Sequence, residues 1–473
     1  MGGGSAKDTL DAMISTTETQ ISQQFQLYDS LLGWSPDHEL EYLLAEAYEP
    51  NADATVHTVK LKSGLTFHDG SPVNADAVVY SFNRILDPKT AAVGKDQLGT
   101  LKPSGIKKID DLTVEFTLEE SNVIFFQGLA YYNNAIVPVD YAPKGAQGAI
   151  GTGPWMVETF DPGQQVVFKA NPNYWGVGPY ADQLTMIEFA DPTAKLNALL
   201  DGTCDYMSLL DGAQVSTVKS TAGFTALEAK TGGWNPFTMR VDAKPFDDVR
   251  VRQAFRLIVD REQIIQQAKG GFSWTGNDMY GVFDPGYPKD LPQRTQDLEQ
   301  AKSLLKQAGY DNDLTVELNC STATGAGDVQ AAQVFAEQAK GAGVTVKVNQ
   351  VDPSVFYGDN YLKWIFAMDF WGYRDYLPQV ALGSYPGAPW NETHWADPEW
   401  KKLIDEARKT VDDTARNDLV SQAQKIEYES GAYVIYQFNI LVDAYSDKLG
   451  GVVADNWGAE AANKFRMNLV YFV

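Results

Sequence analysis

Near the middle of the chain the spacing of apolar residues changes character. Val251, Ala254, Phe255, Ile258 and Val259 recur at i, i+3, i+4, i+7 and i+8, which predicts a helix with one buried face. Asp247-Asp248 stand just before it. An aspartate there accepts hydrogen bonds from free N–H groups and suits the positive end of the helix dipole. The preceding stretch, Thr231–Thr238, reads as extended: Gly232, Gly233 and Pro236 punctuate it, and Trp234 and Phe237 ride on it. An extended crossing that feeds a fresh helix is what the start of a second structural unit looks like.

Upstream, Leu10, Ala12 and Ile14 alternate with Asp11, Met13 and Ser15, predicting a short strand over Asp8–Ser15. Thr16–Gln20 then reads as a polar loop at that strand's carboxyl end, where ligands sit in open α/β sheets. Leu43–Asp76 reads as a strand, a glycine turn, a second strand, a His68-Asp69-Gly70 turn and a helix capped at Asn74 or Asp76. Ile106–Asp110 and Leu112–Leu118 form a meander. Downstream, Asp260 and Gln263 stand at capping-box spacing, and Asp297–Gly309 is an amphipathic helix. Leu314–Asn319, Val329–Gly343 and Val344–Val351 make a β-α-β unit. Phe366–Trp371 reads as a strand, Trp400–Lys409 and Ala415–Ser430 as helices, and Ala432–Ile440 as a strand.

Composition narrows the function. At 473 residues the chain exceeds one ordinary core, and length suggests roughly three domains. A net charge of −24 with no Lys/Arg cluster argues against nucleic-acid binding. No apolar run reaches the about 18 residues of a membrane span. Cys204 and Cys320 fit no metal or redox spacing and read as small buried residues without a bridge. His38, His57, His68 and His394 lack ligand spacing, and no nucleophile elbow accompanies His68-Asp69, which reads as a turn. Gly151-Thr152-Gly153-Pro154 is no phosphate loop, because the lysine is missing and Pro154 removes a donor. The reading is therefore a protein that is not an enzyme and carries no cofactor or metal. A secreted hydrolase is the rival from a different class.

Several motifs, in order, resemble the family-5 extracellular solute-binding proteins of bacterial ABC importers, which include dipeptide- and oligopeptide-binding proteins. Pro245-Phe246-Asp247-Asp248-Val249-Arg250-Val251-Arg252-Gln253-Ala254 is close to that family's P-F-x-D-x-R-V-R-Q-A signature. Gly64–Asp76, with Phe67-His68-Asp69-Gly70, Gly151-Thr152-Gly153-Pro154-Trp155 and Asn171-Pro172-Asn173-Tyr174-Trp175 match further motifs. Phe25–Leu32 matches a family helix of the form x-x-Y-x-x-L. The likeness spans about Tyr28 to Val452.

The resemblance implies an α/β, two-lobed periplasmic-binding-protein-like fold of the large type, with two hinge crossings and a ligand cleft. Lobe 1 is expected at residues 1–235 and 438–473, with an extra subdomain at roughly 40–150, and lobe 2 at 236–437. The expected crossings lie near Trp234–Thr238 and Tyr436–Asn439. The implied function is capture of a small peptide or amino-acid-derived solute and its delivery to the permease subunits of an ABC importer. Opines or other amino-acid conjugates, oligosaccharides and metal chelates are alternatives. The protein is expected to be a monomer and extracytoplasmic. Gly2–Ser5 suits the remnant of a lipid-anchor tether as well as a cloning linker. Family peptide binders pair the ligand ammonium with an aspartate in a W-x-A-D-Y-like segment, which Trp371-Gly372-Tyr373-Arg374-Asp375-Tyr376 resembles. Asp375 is the implied amine anchor. Arg374, where the family has a small residue, suits a ligand carboxylate or a solvated surface. Trp234, Phe237, Trp371 and Tyr373 fit a pocket wall or the core. Thr17 and Thr19 are expected to contact ligand from the first lobe.

Overall fold

The helix announced by Asp247-Asp248 spans Val249–Ile258 in the computed structural model, with the Asp248 side chain accepting from the Arg250 amide. Val251, Ala254, Phe255 and Ile258 are fully buried, packed in a core that includes Phe246, Phe335 and Phe366. Arg252 and Arg256 on the same helix are buried as well, which periodicity does not reveal. Arg252 donates to the carbonyls of Phe246 and Ser430 at 2.7 Å each, and Arg256 to those of Tyr433 at 2.8 Å and Tyr428 at 2.7 Å. Both thus satisfy carbonyls at or just beyond the C-terminal end of the helix Asp413–Ser430, where the helix dipole is negative. Burial lowers both guanidinium pKa values to about 10, so both stay charged at neutral pH.

Residues 5–325, 327–455 and 465–473 are described; of the expected tether Gly2–Ser5, only Ser5 is among them. The chain divides into two units, with breaks between Ala229 and Lys230 and between Leu441 and Val442. Both breaks fall inside long strands, Phe224–Met239 and Tyr433–Ser446.

In the second unit, those two strands neighbour each other in a sheet continued by Phe366–Met368, Thr315–Cys320 and Thr345–Gln350. The last two are parallel and joined through the helix Asp328–Lys340, which is the predicted β-α-β unit. In the first unit, a four-stranded antiparallel sheet runs in the order Ala45–Pro50, Val56–Leu61, Thr113–Leu118, Leu101–Lys108. The helix Ala75–Leu86 packs on it, capped by Asn74 Oδ1, which accepts from the Ala77 amide at 3.0 Å. A three-stranded antiparallel sheet follows: Trp155–Asp161, Gln165–Ala170 and Gln183–Ile187.

Two motifs of the first unit hold each other. The His68 amide donates to Gly151 O at 2.9 Å, His68 Nδ1 accepts from the Gly151 amide at 3.2 Å, and Nε2 donates to Gly153 O at 3.0 Å. That fixes a neutral tautomer, and burial lowers the His68 pKa. Gly151 and Gly153 are glycine because a Cβ would lie 2.0 Å from Leu27 O and 2.5 Å from Gln26 O respectively. Asp69 accepts from the Ser71 amide and hydroxyl, so His68-Asp69 is a turn.

Three expectations are corrected. Asp8–Ser15 is not a strand. Leu10, Asp11, Ala12 and Met13 are all buried, and the segment is held by side chains instead of a ladder. Asn133 Nδ2 donates to the carbonyls of Ala12 at 2.9 Å and Ser15 at 3.1 Å, and Arg84 pairs with Asp11 at 2.6 Å. The helix expected over Phe25–Leu32 runs instead over Glu18–Leu27, started by a capping box of Thr17 and Gln20, and Leu32–Trp34 is a strand. Cys320 is buried but Cys204 is half-exposed; both are free thiols.

Candidate ligand-binding site

The aromatic segment 371–376 is positioned by backbone pairing within the second unit. Trp234 and Trp371 exchange both backbone hydrogen bonds, at 2.9 and 2.8 Å. Their rings stack 6.0 Å apart, Trp234 stacks on Tyr280 at 5.2 Å, and Tyr280 on Tyr376 at 5.2 Å. All four rings are buried, and their offset stacking adds to the area burial. Their polar ends are satisfied: Trp371 Nε1 donates to Glu392 Oε1 at 3.0 Å, and Tyr376 Oη to Glu427 Oε2 at 2.6 Å. Gly232 is glycine because its Cβ would stand 2.2 Å from the Tyr373 ring.

Tyr373 Oη donates to Asp375 Oδ1 at 2.7 Å. Asp375 is half-buried and begins the short helix Tyr376–Gln379 without using its side chain as a cap. Beside it lies Asp284, which accepts from the amides of Tyr376 at 2.8 Å and Gly286 at 2.7 Å. Burial, and then the charge of Asp375, push the Asp284 carboxyl up to about 7. Phe283, partly exposed, packs on Tyr373 at 5.3 Å, and exposed Trp390 leans on Trp371 at 6.0 Å. Arg374 stands 6.0 Å over the Trp371 ring and is half-buried. The arrangement offers paired carboxylates, one guanidinium and aromatic faces. It suits a ligand with an ammonium group and an apolar part. Among the described residues, no group of three or more His, Cys, Asp or Glu side chains is arranged to hold a metal ion.

The sequence profile of the bacterial extracellular solute-binding proteins, family 5 Middle, matches residues 39–389. The chain belongs to this family. It is 26% identical over 464 residues to the di/tripeptide-binding protein 2 of Pseudomonas aeruginosa, covering 90% of this chain and 86% of the relative. It is 25% identical over 474 residues to the glutathione-binding protein GsiB of Pectobacterium atrosepticum, covering 94% and 88%. The structure of HbpA2 from Haemophilus parasuis superposes with a TM-score of 0.85 at 22% identity, covering 99% of this chain and 98% of that one. The fold is therefore the two-lobed α/β architecture of periplasmic binding proteins. As an extracellular solute-binding protein of family 5, the chain acts outside the cytoplasm. No helix among the described residues is long and apolar enough to cross a membrane.

For this family 5 protein the expected site residues fall into three groups. Asp375, Tyr373, Trp371, Arg374 and Trp234 come together in the second unit as described. Phe237 does not join them. It is fully buried, with its ring 4.7 Å from Phe335 and 5.3 Å from Tyr436, so it is a core residue. In the first unit, Thr17 Oγ1 accepts from the Gln20 amide as a helix cap, and Thr19 is buried. Asp284, Glu392, Phe283 and Trp390 escaped the sequence reading. In a chain with 62 acidic residues no single carboxylate stands out, and Asp284-Pro285-Gly286 reads only as a turn.

Proposed function

We propose that this protein binds a short peptide or amino-acid conjugate through the ligand's ammonium group and delivers it to the permease of an ABC importer. The observation that carries this reading is Asp375, oriented by Tyr373, next to the buried carboxyl of Asp284. Asp284 is compensated in part by the amides of Tyr376 and Gly286 and by the charge of Arg416, against the like charge of Asp375. An incoming ammonium adds a favourable charge beside two acids. Trp371, Tyr373, Phe283 and Trp390 supply apolar contact for side chains of varied shape, and Arg374 supplies a partner for a carboxylate. The two relatives whose names specify di/tripeptides and glutathione point to the same ligand class. The protein acts by binding and release, with hinge motion at the two linking strands coupling capture to delivery, and without catalysis. Native mass spectrometry of the protein as purified, followed by calorimetry with the ligand found, tests this. A co-purified sugar, or a panel of di- and tripeptides giving no heat and no thermal shift, would overturn it.

A further inference from the structure

The stacked rings of the candidate site end on one buried carboxyl. Glu427, near the end of the helix Asp413–Ser430, is 2% exposed. Its Oε2 accepts from Tyr376 Oη at 2.6 Å and from Tyr280 Oη at 3.2 Å. Trp400 Nε1, on the helix Pro398–Ala407, donates to Tyr376 Oη at 2.7 Å, and Tyr280 Oη lies 3.1 Å from Ser384 Oγ. Tyr280, Tyr376, Ser384 and Trp400 are all buried. At its other end Tyr376 is held by the backbone. Its amide donates to Asp284 Oδ2 at 2.8 Å, and a Cβ on Gly281 would lie 3.3 Å from Tyr376 N. The turn that carries Asp284 rests on the same helix as Glu427: a Cβ on Gly286 would lie 2.7 Å from the Val420 side chain. Asp375, the implied amine anchor, shares a peptide bond with Tyr376.

We propose that Glu427 is the positioning residue for Asp375, acting through the Tyr376 hydroxyl. Tyr376 is held at both ends, by Asp284 at its amide and by Glu427 at its hydroxyl. The planar peptide it shares with Asp375 therefore stays aimed. Without the carboxyl, a buried hydroxyl loses its acceptor, which is costly. Tyr280 still has the Ser384 hydroxyl. The Trp400 indole is a donor only and does not replace the acceptor of Tyr376. Tyr376 then shifts, and Asp375 moves with it. That Asp375 meets a ligand ammonium rests on the reading of the site proposed above; the hold of Glu427 on the peptide between Asp375 and Tyr376 does not.

The test uses full-length protein in two arms. Without ligand, hydrogen exchange is followed in peptides covering residues 373–380 and, as a reference, the core helix Asp328–Lys340. Glu427→Leu and Tyr376→Phe should speed exchange over 373–380 by about tenfold and leave the reference within about twofold. Glu427→Gln, which keeps an acceptor, should match the parent in both. With ligand, calorimetry compares a di- or tripeptide that the parent binds with its N-acetylated form. The preference for the free amine should shrink by about tenfold in Glu427→Leu and Tyr376→Phe, because an aspartate free to turn into solvent pairs like an exposed one. It should persist in Glu427→Gln. Should Glu427→Leu not fold, Tyr376→Phe carries both arms. A role confined to packing would loosen both segments alike and leave the amine preference intact. That result in Tyr376→Phe, or a Glu427→Gln protein as impaired as Tyr376→Phe, would overturn the proposal. If no peptide binds the parent, the ligand reading fails and the exchange arm alone decides whether Glu427 holds the segment.

Discussion

Replacing Asp375 by Asn removes the charge on which the ligand reading depends while keeping the side chain's shape and its ability to accept from Tyr373 Oη, now at 2.7 Å. Truncating one partner of a buried charge pair typically costs about 2–5 kcal/mol. Asp375 is half-buried, and Asp284 remains nearby as a second carboxylate. The low end therefore applies, about 2–3 kcal/mol, or about 30- to 150-fold in Kd. The unliganded fold should hold or gain slightly, because the variant relieves Asp284 of a like charge. Calorimetry of parent and variant with a di- or tripeptide that the parent binds, and with its N-acetylated form, measures the effect. N-acetylation should weaken binding to the parent by a similar factor and matter little to the variant. Ligand-induced stabilisation should shrink in step with affinity, since it follows RT ln(1 + [L]/Kd). If Asp375→Asn binds as tightly as the parent, or acetylation changes nothing, Asp375 is not the amine anchor.

Other consequences follow from groups away from Asp375. Glu427 is pushed up to about 7 by burial, from an ordinary value of 4.5. The folded state therefore binds a proton that the unfolded state releases, and this group's contribution to stability is present below about pH 4.5 and lost as pH rises through about 7. Urea midpoints between pH 5 and 8 should fall less steeply for Glu427→Gln than for the parent. Phe237→Ala should destabilise the protein by about 3–5 kcal/mol through a core cavity, read by urea unfolding, while leaving ligand affinity of the folded variant within about twofold. Arg256→Met should cost about 1–3 kcal/mol or more, because the carbonyls of Tyr428 and Tyr433 lose a buried donor; hydrogen exchange should report fraying at the end of Asp413–Ser430 first.

What the sequence determined by itself is what depends on neighbours within a few residues. The apolar face of Val249–Ile258, the caps at Asp248 and Asp260, a cap at Asn74 or Asp76, and the β-α-β unit ending at Gln350 were legible because period and capping are local rules. Thr17-Glu18-Thr19-Gln20 was equally local and carried a capping-box signal that the strand-like alternation before it obscured. Family motifs such as Phe67–Gly70 and Gly151–Pro154 were recognisable in order, but their physical purpose was not. Only folding brings His68 onto the carbonyls of Gly151 and Gly153 and the end of Glu18–Leu27 against the two glycines. The candidate site depended still more on tertiary structure. Asp375 could be picked out by its motif, yet the acid beside it, Asp284, and the Trp234–Trp371 pairing join segments far apart in the chain. Whether a carboxylate is solvated or buried against another is set by what packs over it, and no local pattern encodes that environment. For the same reason no local pattern shows what surrounds Phe237 and Trp234: three residues apart in one strand they point to opposite faces, and both are buried, Phe237 against Phe335 and Tyr436 and Trp234 against Tyr280, Trp371 and Tyr433.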